Sequence, residues 1–437
     1  MNIKNIFKEK INKNIFKELA KGLMYVICAS PALFLLVNKY PYLLISSLFA
    51  ITVIVIVYLI RTKTIKAASP KLLIILLIIY IYFLLSYIFS LQSLSKLFTY
   101  SFLRYDGNFF ICYFLFFIFA IPFVDYEKVL NLFFKFLFFT FTSFALFGIL
   151  EYFFRFSSYM IYNDGTTAGD MFVALNKAHN ATGSVYTVVC LFLLIFLLKE
   201  KNKNIRIIYI ISFIICFTGL ILTKSRGGYT GFFFGMLFVF WFHFKSIKKF
   251  FLSTFAMIIC IAPIVYFTGT FKRIIEIFKI TLTSNVRLKL WEKALIFFSN
   301  SPIFGIGFGR FNDLGVNEIN TLNGIRGLVA FYRGPNAVYN SSHAHNSYLH
   351  FLAETGIIGL GLVVCFWVFC FIIIFKAFKS SSTIFKEKIY LCSLTGIITI
   401  GVLALTEHYL SATTIMICLS MLLSLSLGVI STTKNNF

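Results

Sequence analysis

Residues 71–91 read KLLIILLIIYIYFLLSYIFSL. A single lysine opens this stretch and no charge follows it, and about twenty consecutive apolar residues is the length a helix needs to cross a bilayer. Similar runs recur near 22–38, 41–60, 108–124, 129–150, 182–198, 206–223, 228–244, 250–268, 355–375, 389–405 and 411–431. Together they predict an all-α polytopic integral membrane protein with about 12 transmembrane helices. Strands of a transmembrane β-barrel would alternate apolar and polar residues, which these runs do not do. The whole chain agrees: of 437 residues, 59% are hydrophobic and 13% charged, and the mean hydropathy is +0.88.

The balance of 40 basic against 16 acidic residues gives +24. In a soluble chain such an excess would suggest nucleic acid; in a membrane protein it reports topology and anionic headgroups. The basic stretch Met1–Lys21 reads as an interfacial helix anchoring a cytoplasmic N-terminus, too long and mixed for a signal peptide. With that end inside, alternate connections carry the cations: Arg61, Lys63, Lys66 and Lys71; Lys199, Lys201, Lys203 and Arg206; Lys245, Lys248 and Lys249; Lys376, Lys379, Lys386 and Lys388. Both termini are therefore expected in the cytoplasm. The predicted organisation is an N-terminal transmembrane bundle over 1–268, of about nine spans with an outside segment at 151–181. A large outside loop over 269–348 and C-terminal transmembrane helices over 349–437 follow. Within the loop, 271–280 and 285–298 have helical patterns, while 305–309 and 333–342 are rich in turn formers, so a small, partly helical cap is expected. The nine cysteines fall in apolar runs without Cys-x-x-Cys spacing and read as small core residues. The 58 phenylalanines carry no functional reading, and no internal repeat supports a repeat-built transporter.

Candidate chemistry gathers on the outside. His179, His343, His345 and His350 lie in or beside the outside segments, and His408 at the outer end of a span. The central loop holds nine cations (Lys272, Arg273, Lys279, Arg287, Lys289, Lys293, Arg310, Arg326 and Arg333) against Glu276, Glu292, Asp313 and Glu318. Such a surface suits an anionic ligand, phosphate above all, or simple headgroup contact. Thr223-Lys224-Ser225-Arg226-Gly227-Gly228 is a very short turn holding Arg226 at the boundary, where a guanidinium can fork onto a diphosphate or merely snorkel. Arg287 and Trp291 stand four apart, on one helical face. The densest polar stretch is SHAHNSYLHFLAETGIIG, residues 342–359, immediately ahead of a span. His343, His345 and His350 share no helical face, and no acid stands in matching spacing, so no metal site is expected there. An imidazole acting as general base on a hydroxyl fits better.

His345-Asn346, nine residues, then Gly356-Ile357-Ile358-Gly359 resembles the ligase motif of the O-antigen ligase and O-antigen polymerase superfamily of bacterial envelope glycosyltransferases. Lys224-Ser225-Arg226-Gly227-Gly228, Arg287 with Trp291, and Pro302-Ile303-Phe304-Gly305-Ile306-Gly307-Phe308-Gly309 are similar to other landmarks of that family, in order, over roughly residues 175 to 375. The resemblance implies a GT-C type fold in the bacterial inner membrane, with the loop over 269–348 and the active site in the periplasm. It further implies a metal-independent, inverting transfer without cofactors. A glycan on undecaprenyl diphosphate would pass to a sugar hydroxyl of lipid A-core. In that carry-over Arg226 and Arg287 hold the diphosphate and His345 activates the acceptor. Lys224, Asn346, His343, Arg310, Trp291, His179 and Asn180 are the candidate substrate-binding residues.

A lipid-diphosphate donor carries its own activation, and two arginines can stabilise the leaving diphosphate. Glu354 and Asp313 are the carboxylates that a covalent route would call on. Three other readings compete. An O-antigen polymerase differs only in acceptor, and a protein O-oligosaccharyltransferase usually runs longer, with a larger C-terminal outside region. A twelve-span solute transporter would place ionisable residues in mid-membrane, where these runs have almost none.

Overall fold

A computed structural model describes residues 70–90, 97, 106–118, 126–157, 159–162, 170–174, 178–244, 246–267, 286–311, 343–411 and 413–434. The spans expected at 22–38 and 41–60, the basic N-terminal stretch, and the loop segments 271–280 and 333–342 lie outside these residues. Among the described residues there are eleven α-helices: α1 Pro70–Phe89, α2 Asn108–Ile118, α3 Tyr126–Phe154, α4 His179–Lys199, α5 Lys203–Leu222, α6 Arg226–His243, α7 Ile247–Phe267, α8 Val286–Asn300, α9 Ser347–Lys379, α10 Ile384–Leu403 and α11 Thr413–Lys434. Five of them, α1, α3, α4, α5 and α9, are long and apolar enough to cross a membrane. The chain is a multi-pass membrane protein.

α4 is apolar on all sides because it is buried on all sides. It packs against α5, α6 and α10, and less extensively against α3 and α11. Small residues permit the closest approach. Gly183 on α4 lies so near Ser225 and Gly228 that a Cβ there would sit 2.4 Å from the Ser225 Cβ, and the Thr187 hydroxyl donates to the Gly228 carbonyl at 2.7 Å. The glycines of the 223–228 turn thus serve helix packing. Phenylalanine is a core residue here as well as a lipid-facing one. Phe83 stacks on Phe109 with ring centroids 4.4 Å apart, Phe109 on Tyr113 at 4.1 Å, and Phe308 and Phe351 meet Phe83 edge-on.

Most helices begin or end within a few residues of the expected bounds, and α9 is the exception. It starts at Ser347, eight residues before the apolar run, because Asn346 caps it by accepting from the amides of Tyr348 (3.0 Å) and Leu349 (3.1 Å). The helix then breaks at Gly356, whose φ is +63°. The broken ladder leaves carbonyls and amides over, and the 302–311 loop takes them: Ile306 and Gly307 donate to the carbonyls of Ala353 and Glu354, and Ile357 donates to that of Pro302. A Cβ at Gly356 would lie 2.2 Å from the Ile303 oxygen, and one at Gly305 would lie 2.3 Å from Glu354 backbone. The Gly356-x-x-Gly359 and Pro302–Gly309 motifs are therefore two halves of one joint. α8 packs along α9 beside this joint.

Outside the bundle, β1 (Ile161–Tyr162) and β2 (Met171–Phe172) pair antiparallel. The buried Glu151 carboxylate holds that hairpin by accepting from the Met160 and Ile161 amides and the Ser157 hydroxyl. The helix ends separate by charge. One end carries Lys199, Lys203, Lys376, Lys379, Lys386 and Lys388; the opposite end carries His179, Lys224 to Arg226, and His343 to Asn346.

Candidate active site

At that opposite end the connection between α10 and α11 supplies Glu407, a residue that the sequence motifs did not single out. Its carboxylate is 89% buried and joins four segments. Oε1 accepts from Arg287 Nη2 at 2.9 Å and from Asn180 Nδ2 at 3.3 Å, and Oε2 lies 2.5 Å from His345 Nδ1. Asn180 also receives the Ser225 hydroxyl at 3.3 Å, next to Arg226, and its carbonyl accepts from the Tyr409 hydroxyl at 2.9 Å. Gly227 abuts Thr406: a Cβ there would be 2.6 Å from the Thr406 Oγ1. The start of α6, the start of α4, α8 and the segment ahead of α9 thus converge on residues 406–409.

His345 is built for a directed ring. Its φ of +50° is unusual for a residue other than glycine, and such strain persists where surroundings over-determine it. Its own amide donates to His343 Nδ1 at 3.2 Å, and its Nδ1 is fixed by Glu407. With Nδ1–H donated to the carboxylate, the lone pair resides on Nε2, the arrangement a general base requires. The side chain is 28% exposed, open enough to meet a substrate.

Charge is tuned around this pair. Burial alone would raise the Glu407 carboxyl, but the hydrogen bond from His345 and the nearby charge of Arg287 hold it below its ordinary value. Burial, with His345 beside it, drives His343 down to about 3, so its ring is neutral. In the neutral ring Nδ1 is the acceptor of the His345 amide.

The other candidate residues fall into two groups. Asn180 and Arg226 belong to the convergence, as do His343 and His345, whose rings are 4.4 Å apart. Lys224 is buried in the turn at φ +53°, and His179 opens α4. Asn346 spends its side-chain oxygen on the α9 cap. Trp291 lies one turn along α8 from Arg287. Arg310 is held elsewhere, donating to the Ser90 carbonyl at 3.2 Å beside the 302–311 loop. Of the loop cations, Lys293 is not on the surface: it is buried over the Phe311 ring and donates to the Phe311 carbonyl. Glu354, a candidate nucleophile, is fully buried and accepts from the Gly309 and Phe311 amides, so its carboxylate serves the joint. Asp313 lies outside the described residues.

The polar end of this multi-pass helical membrane protein thus gathers two arginines, a carboxylate and an imidazole. Residues 211–364 match the family model described as O-antigen ligase, and the match supports membership of the O-antigen ligase superfamily. That superfamily implies a glycosyltransferase-like activity on lipid-linked glycans with lipid acceptors in general. No curated protein matches the chain.

Glu407 escaped the sequence motifs because it lies 62 residues beyond His345, outside the matched segment. The available signal was an acid-imidazole pair, Glu407-His408, between two apolar runs.

Proposed function

We propose that the chain is an O-antigen ligase, moving a glycan from undecaprenyl diphosphate to a sugar hydroxyl of lipid A-core on the periplasmic face of the bacterial inner membrane. The observation that carries this reading is the shared carboxylate. Glu407 holds the base His345 and the cation Arg287 at once, so the group that takes a proton and the group that steadies a leaving anion have a fixed spacing. Nε2 of His345 accepts the hydroxyl proton as the acceptor oxygen bonds to the anomeric carbon. The bond from that carbon to the phosphate oxygen breaks, and undecaprenyl diphosphate departs with its charge held by Arg287 and Arg226. Attack opposite the leaving group inverts the anomeric centre. In this reading the two arginines stabilise the diphosphate, and the transfer step calls on no metal. The lysine-rich helix ends face the cytoplasm in this reading, as the positive-inside rule favours, and the site faces the periplasm.

The test is reconstitution of the purified chain with an undecaprenyl-diphosphate glycan and lipid A-core, wild type beside His345→Ala, with products separated by gel. Glycan on lipid A-core with wild type alone is the expected result. Longer glycan still on undecaprenyl diphosphate would replace the ligase by a polymerase, and no transfer of either kind would overturn both.

A further inference from the structure

Behind the catalytic imidazole lies a second group of ionisable side chains that the transfer does not use. Asp106 (2% exposed), His350 (0%) and His408 (6%) come from the turn before α2, the first turn of α9 and the connection after α10. One ligand atom from each, a carboxylate oxygen and two ring nitrogens, lies within 4.8 Å of the others. His350 Nε2 is 3.3 Å from Asp106 Oδ1, and the rings of His350 and His408 have centroids 4.0 Å apart. Both nitrogens of His408 are buried with no hydrogen-bond partner among the described residues, as is Nδ1 of His350.

An imidazole sealed from water with neither nitrogen paired bears the full desolvation of two polar atoms. A protonated His350 does not remove that cost. It would sit between Asp106 and the Glu354 Oε2, 3.4 Å away, and offset one of two buried carboxylates while leaving His408 as it is. A divalent cation answers both: it balances the second negative charge and gives His408 a bond. Glu354 is not needed as a ligand, since both of its oxygens accept backbone amides of the 302–311 loop.

We propose that Asp106, His350 and His408 form a buried zinc site. Two imidazoles and one carboxylate are a ligand set that Zn²⁺ takes readily, and ligands bound at about 2.0–2.1 Å on a tetrahedron stand roughly 3.4 Å apart. The His350–Asp106 separation of 3.3 Å already matches that edge. The ion ties α2 and α9 to the segment carrying Glu407, the next residue to His408. The neighbouring trio His343, His345 and Glu407 also brings its ligand atoms within 4.8 Å. There, however, Glu407 is already paired with His345 and Arg287, and His345 is 28% exposed.

The test uses the full chain purified in detergent without a metal-affinity tag. Metal content is measured by mass spectrometry after equilibration with zinc chloride and removal of excess, with the melting temperature recorded with and without zinc. One equivalent per chain is expected in wild type and in His345→Ala, with a zinc-dependent rise in melting temperature, and its loss in His408→Ala and His408→Gln. Wild type without stoichiometric zinc would overturn the site, and so would zinc retained by the His408 variants but lost from His345→Ala. Should the His408 variants fail to fold, wild type and His345→Ala decide: one equivalent in each supports the buried trio, and its absence from either refutes it.

Discussion

The two ends of the helical bundle use charge in different ways. At the lysine-rich end three of the lysines each meet one carboxylate: Lys199 with Glu387 at 2.6 Å, Lys388 with Glu200 at 2.8 Å and Lys386 with Glu127 at 3.2 Å. At the opposite end a single carboxylate, Glu407, serves Arg287, His345 and Asn180 together. One-to-one pairs consume their charges in joining neighbouring helices, whereas the shared acid gathers a guanidinium, an amide and an imidazole from three segments at one point. Backbone strain follows the same division: His345 and Lys224, both at positive φ, stand at the convergent end.

Removing the base breaks that comparison most sharply. His345→Ala should lower the transfer rate by about 10²–10⁴-fold, the range for a lost general base. The amount of folded protein in the membrane should be unchanged, because the ring is partly exposed and packs no core. A rate within a factor of two of wild type, in the reconstituted assay, would remove His345 from the chemistry.

Glu407→Gln asks whether the shared acid orients the base. The amide keeps the size of the side chain but loses the charge that fixes the His345 tautomer and offsets Arg287, and a loss of roughly 10–100-fold in kcat is expected. If Glu407 only pinned helices together, as the lysine pairs do, the variant would show a lower melting temperature with an unaltered rate. Arg287→Lys is milder. Lysine keeps the charge but cannot fork, and one lost charge-assisted hydrogen bond of roughly 1.5 kcal/mol predicts about a tenfold fall in kcat/KM for the lipid-linked donor. Arg226→Lys should fall in the same range, and donor kinetics unchanged in both variants would take the arginines out of diphosphate binding.

These residues also show how far the sequence can be read. Apolar length alone placed most helices, since bilayer thickness sets a span whatever its neighbours are. It misplaced the start of α9, because density of polar groups was read as loop. His350 and Glu354 are tolerated in a buried helical turn only because Asp106, Gly309 and Phe311 meet them there. Arg226, Arg287, His343 and His345 were visible through local spacing, and the structure brings them to one end of the bundle. Glu407 and Asp106 were not, as their partners stand 62 and 244 residues away and a lone acid between apolar runs carries no spacing signal. The Gly356 and Gly305 motifs were visible as patterns, but their purpose, joining a broken helix to a loop, appears only when the two backbones touch.

The smallest effect belongs to the lysine-rich end. The Lys388 hydrogen bond, followed by the Asn202 amide, holds the Glu200 carboxyl below its ordinary value of 4.5. A carboxyl depressed in the folded state stabilises it fully above that ordinary range, and the contribution is lost as pH falls through the folded value. Lys388→Met should therefore lower the melting temperature at pH 7, by the equivalent of about 1 kcal/mol for one lost charge-assisted hydrogen bond. The difference from wild type should shrink once the pH is taken below 4.5. Transfer should proceed at the wild-type rate. A rate loss as large as that of Arg287→Lys would mean that the lysine pairs act on the distant site through α4 or α10, and the division between joining charges and reacting charges would not hold.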